Sequence, residues 1–111
     1  MYNYEHFENL NELKQKHYGV ATRLLEYASD PEGDWTKEGI YLYNSPEDFA
    51  RYEVEDGWYS TSVTTDYKGA PPLDEYIDYR SLGQALIESW DESINYHDEL
   101  TGFILTTSYG W

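Results

Sequence analysis

Tyr79, Leu82, Leu86 and Trp90 recur at spacings of three and four, which makes one apolar stripe of a helix. Pro71 and Pro72 disfavour helix before them and suit a helix start just after, so the pattern predicts a helix over about 73–90. A second helical pattern runs through Phe7, Leu10, Leu13, His17, Val20, Ala21, Leu24 and Ala28. It predicts helix over 6–28, with Gly19 as the point for a kink or a break into two. A third helix should begin at Ser45, which can cap, with Pro46 at the first helical position and Asp48 three residues on. It should reach Glu55 and stop at Gly57, turning Phe49, Ala50 and Val54 inward.

Strand patterns fill the gaps. The segments near 39–43, 58–65, 93–97 and 102–107 are rich in β-branched and aromatic residues. The last two are close enough to pair as a hairpin that turns at 98–101. The expected fold class is therefore α+β, with three or four helices on a small mixed or antiparallel sheet. One hundred and eleven residues suit one small domain, 1–111, with a helical amino-terminal segment over 1–30.

Composition changes this picture in two ways. Aliphatic residues are modest in number, so thirteen Tyr, four Trp and three Phe must supply much of the packing. Twenty-two acids face seven bases, a net charge of −15. Disordered acidic chains are poor in aromatics, so this one is expected to fold. There is no cysteine, hence no disulfide or thiolate metal site, and no apolar run near the roughly 20 residues that span a bilayer. With no secretory pattern after Met1, the expected location is the cytoplasm.

Candidate chemistry is sparse. Phosphate-binding glycine loops, HExxH and calcium-loop motifs are all absent. His97 beside Asp98 and Glu99 has donor chemistry, but a lone histidine in an acidic turn is ordinarily a turn residue. Carboxylate pairs such as Asp74 with Asp78, or Glu88 with Asp91 and Glu92, arise by chance in so acidic a chain. The expectation is a protein that is not an enzyme and has no catalytic residues, no metal and no cofactor.

Charge, in contrast, is informative. It sets the chain against nucleic acid and anionic membranes and towards basic protein surfaces. The acids are uneven: residues 38–111 hold fifteen acids and three bases, and no Lys or Arg follows Arg80. Duplex DNA carries about one charge per 1.7 Å of axis. Carboxylates fixed on helices could occupy the same basic channel and compete with it. The target-binding surface read in this way comprises Glu47, Asp48, Glu53, Glu55 and Asp56, then Asp74, Glu75 and Asp78, then Glu88, Asp91, Glu92, Asp98 and Glu99. Two other classes stay open: an acidic inhibitor or adaptor that binds a basic protein without copying DNA, and an aromatic-lined carbohydrate-binding module. The surplus of aromatics also implies a homodimer, with Trp58, Trp90 and Trp111 as contact candidates.

Gly39-Ile-Tyr-Leu-Tyr-Asn-Ser-Pro-Glu-Asp-Phe-Ala50 resembles the middle of ArdA-type antirestriction proteins. Leu73-Asp-Glu-Tyr-Ile-Asp-Tyr79 resembles the Tyr-Ile-Asp-aromatic signature of their carboxy-terminal domain, and Gly102-Phe-Ile-Leu-Thr-Thr107 is similar to the strand that follows. Order and rough spacing agree over 39–107. The chain departs from the family at Arg80-Ser-Leu-Gly-Gln84 and in an acidic insertion over 87–99. The resemblance implies an acidic DNA mimic, of phage or mobile-element origin, that inhibits type I restriction-modification enzymes and acts as a dimer. A shortened relative could have turned to another nuclease or a CRISPR effector.

Overall fold

The computed structural model describes residues 2–59 and 76–111. Over these the chain runs β1 (Tyr4–Phe7), α1 (Leu10–Lys16), α2 (Tyr18–Tyr27), a short 3-10 turn (Asp34–Thr36), β2 (Ile40–Tyr43), α3 (Pro46–Glu55), α4 (Tyr79–Ser89), β3 (Asn95–His97) and β4 (Ile104–Thr107). The strands form one antiparallel sheet in the order β1-β2-β4-β3. The fold is α+β, as the patterning predicts, and its sheet is antiparallel.

Two-residue alternation sends neighbouring side chains of a strand to opposite faces, and both faces of this sheet are used. Phe7, Ile40, Leu42 and Leu105 point to one side, where Leu13, Val20, Ala21 and Leu24 of α1 and α2 meet them. Tyr43 and Ile104, paired across β2 and β4, point to the other, against Phe49 of α3 and the half-buried Leu86 and Trp90. Each fully buried Leu, Ile or Val contributes roughly 1.5–3 kcal/mol. The 3-10 turn drops Trp35 into the first layer, with its indole N–H donating to the Asp30 carbonyl at 2.7 Å. Trp111 meets Trp35 edge-on, with ring centres 5.6 Å apart.

α3 and α4 pack on each other at the far end of the second layer. Gly83 makes this possible: a Cβ there would lie 2.6 Å from the Pro46 carbonyl oxygen. The Arg51 guanidinium lies 4.2 Å over the centre of the Tyr79 ring, closing the other end of the pair.

The expected start of α3 is observed: the Ser45 hydroxyl accepts from the Asp48 amide at 3.0 Å, and Pro46 opens the helix. Phe49, Ala50 and Val54 are buried. The hairpin of 93–97 with 102–107 is also observed, as β3 and β4, closed at Gly102 with φ +82°.

Four expectations need correction. The amino-terminal pattern is not one helix from residue 6, because its first residues form β1. Phe7 is therefore a strand residue, and α1 begins after Asn9, whose side chain accepts from the Glu12 amide at 3.0 Å. The break between α1 and α2 falls at His17, not at Gly19. The last helix does not continue back through Asp78, which caps α4 in extended conformation and accepts from the Ser81 amide at 3.1 Å. In the segment read as a strand over 58–65, Trp58 and Tyr59 lie in a turn after α3, and 60–65 lie outside the described residues.

Candidate protein-interaction surface

The acids divide by what their carboxylates hold. On α3, Glu47 faces solvent and reaches Arg51 one turn on, at 3.4 Å. Asp48 accepts from the Ser45 hydroxyl and from the Asn3 amide, tying β1 to the start of α3. Glu53 is half-buried and accepts from the Trp58 amide at 3.1 Å, and Glu55 is also half-buried. Asp56 accepts from the Tyr2 hydroxyl at 2.7 Å.

Around α4, Asp78 is the cap. Hydrogen bonds from the Ser81 backbone and hydroxyl hold its carboxyl below the ordinary range. Asp91 closes the turn after the helix, and donation from the Ser93 hydroxyl and amide lowers it too. Glu88, Glu92 and Glu99 are exposed. Asp74 and Glu75 lie outside the described residues.

Asp98 departs from its expected role. Its side chain is buried, and it accepts from Arg23 Nε at 2.6 Å and Nη2 at 2.8 Å, with Thr101 and Tyr96 also donating to it. Charge-assisted bonds of this forked kind are strong and geometrically specific. Chiefly through Arg23, the carboxyl is held down to about 2. Asp98 is thus an internal anchor between α2 and the β3–β4 turn and not part of the outer surface. It also removes the acid neighbour from His97. Among the described residues, no three His, Asp or Glu side chains are grouped as a metal ion requires.

Bases are consumed in a similar way. Arg23 is paired with Asp98, Lys16 with Glu5 at 2.7 Å, and Arg51 with Glu47. His17 adds a 3.1 Å contact to Glu5. Among the described residues Asp98 is the one buried acid, so the remaining carboxylates lie at or near the surface with few partners of opposite sign.

The tryptophan candidates separate as well. Trp58 is 84% exposed. Trp90 ends α4 half-buried, edge-on to Phe49 at 5.7 Å. Trp111 is 4% exposed and belongs to the core beside Trp35, which removes it from the interface candidates.

One grouping escaped the sequence reading. Tyr2, Tyr4, Tyr41, Tyr43 and Tyr52 come together over the second face of the sheet, with Tyr2–Tyr4 rings 5.5 Å apart, Tyr2–Tyr52 5.4 Å and Tyr43–Tyr52 5.1 Å. They line a groove of about 380 Å³ beside Glu53. Tyr4 and Tyr41 are 52% and 41% exposed. Burial raises the phenols of Tyr2, Tyr43 and Tyr52 above the ordinary tyrosine range, and nearby carboxylates add to this. The signal was present as Tyr2-x-Tyr4 and Tyr41-x-Tyr43, two alternating pairs that adjacent antiparallel strands bring to one face.

No family model, no curated protein and no solved structure matches this chain. The resemblance to ArdA-type proteins therefore rests on the short motifs of 39–107 alone.

Proposed function

We propose that this protein is a non-enzymatic inhibitor that occupies the basic DNA-binding surface of a host-defence enzyme in place of the duplex. The observation that carries the reading is the disposition of charge. Among the described residues Asp98 is the one buried acid, and three of the six bases are tied up in ion pairs within the chain. The motif resemblance narrows the target class to type I restriction-modification enzymes, and the working form to a homodimer in the bacterial cytoplasm.

The match to DNA is partial in density. Over the 51 Å long axis of the molecule a duplex would present ~30 phosphates, twice the net charge of this chain. A dimer would extend the charged face. Cleavage of unmodified DNA by a type I enzyme, titrated with this protein, tests the proposal. Cleavage should fall towards zero at a stoichiometric ratio of inhibitor to enzyme. Undiminished cleavage by type I enzymes of several specificities would rule out this target class.

A further inference from the structure

We infer that the tyrosine groove is a docking site for an arginine side chain presented by a basic protein partner, the guanidinium stacking on Tyr4 and Tyr41 with its charge turned to Glu53. This rests on the inhibitor reading and gives that surface a point of specificity that distributed charge alone does not supply.

Three observations support it. The first is one wall of the groove, made of phenol faces from β1, β2, α3 and Tyr2 just ahead of β1, opposite Ile94, Asn95 and Thr106. Tyr4 and Tyr41, with ring centres 6.3 Å apart, are its exposed part. α3 and α4 cover the sheet at Tyr43 and Ile104 and leave Tyr4, His6 and Tyr41 open. Ring faces carry negative potential and attract a cation placed over them, arginine more often than lysine because its plane stacks.

The second is charge. Among the described residues no Lys or Arg lines the groove and Glu53 is its charged residue, with Asp56 held next to it by the Tyr2 hydroxyl. The field there favours a cation over a neutral or anionic guest. The third is an internal precedent. Arg51 already lies 4.2 Å over the Tyr79 ring while reaching Glu47, so this chain uses the same ring, guanidinium and carboxylate combination in its own packing.

A neutral sugar is the competing guest for such a wall, and it would use the rings without the carboxylate. The test follows the aromatic NMR resonances of the intact protein during titration with four probes: triarginine, trilysine, a tricitrulline peptide that keeps the shape of arginine without its charge, and a neutral oligosaccharide. Triarginine should shift the Tyr4 and Tyr41 rings and bind about fivefold more tightly than trilysine. Tricitrulline and the sugar should leave the rings unmoved. The double variant Tyr4→Leu/Tyr41→Leu, at two exposed positions, should weaken triarginine at least about fivefold, and Glu53→Gln should weaken it as well.

Equal binding of arginine and citrulline peptides would overturn the assignment. So would equal binding of trilysine, ring shifts from the sugar, or a double variant that binds triarginine as well as the native chain does. The two readings fail separately. Triarginine docking without any displacement of DNA from an enzyme would sink the inhibitor reading alone. Inhibition with rings indifferent to triarginine would sink the groove alone.

Discussion

Asp98 and Arg23 form the contact on which the β3–β4 turn depends, and they stand 75 residues apart in the chain. Truncating Asp98 takes the acceptor from the Thr101 and Tyr96 hydroxyls and from an Arg23 side chain that is 30% exposed and partly solvated, at roughly 1–3 kcal/mol. Asp98→Ala should therefore lower stability by about that amount in urea unfolding, whereas Glu99→Ala next to it, exposed, should change it by under about 0.5 kcal/mol. The pair also sets the acid limit of the fold. Because the folded carboxyl sits near 2, below its unfolded value of about 3.9, it adds stability above pH 4 that is lost as the pH falls towards 2. The tyrosines act at the other end. Tyr2, Tyr43 and Tyr52 have phenols raised by burial, so the fold favours their neutral form. Their contribution is complete below about pH 10 and is lost as the pH rises past it. Absorbance of tyrosinate should thus rise in two phases, the later one together with unfolding. Neither behaviour could be read from the sequence: Asp98 looks like its acidic neighbours until Arg23 is folded against it.

At the scale of elements, Gly83 is the critical residue of the α3–α4 pair. Gly83→Ala would ordinarily favour a helix by about 1 kcal/mol, yet here the new Cβ would meet the Pro46 carbonyl at 2.6 Å. The helices must separate, so the variant should be less stable by roughly 1–3 kcal/mol, the usual cost of overpacking. A variant more stable than the native chain would show that the two helices are not in close contact. Ser45→Ala, which removes the cap of α3, should cost about 1 kcal/mol. That cap was legible because its determinants are local: Ser45, Pro46 and Asp48 lie within four residues. The hairpin of β3 and β4 was legible for the same reason. β1 was not, because the three-residue step from Phe7 to Leu10 imitates a helix while crossing from strand to helix. The Asn9-x-x-Glu12 cap was the overlooked sign. The tyrosine groove was equally hidden, since it needs the pairing of Tyr4 with Tyr43, which no local pattern specifies.

For the whole molecule, binding by the proposed inhibitor is a sum over many carboxylates plus one aromatic contact. Glu47, Glu88, Glu92 and Glu99 are exposed. Changing any one to Gln should alter affinity for the target by roughly 0–1 kcal/mol, because exposed ion pairs are screened. Changing all four should weaken it severely. Light scattering should give a dimer mass for the native protein, and Trp58→Ser should shift it towards monomer. With Trp111 in the core, Trp58 is the exposed tryptophan left to make such a contact among the described residues. The most direct measurement is competition between this protein and a labelled duplex for a type I restriction enzyme, at low and at high salt. If the protein stands in for DNA, the duplex should be released in proportion to inhibitor bound, and raising the salt should restore it by screening the carboxylates. A duplex that stays bound beside saturating inhibitor would contradict it.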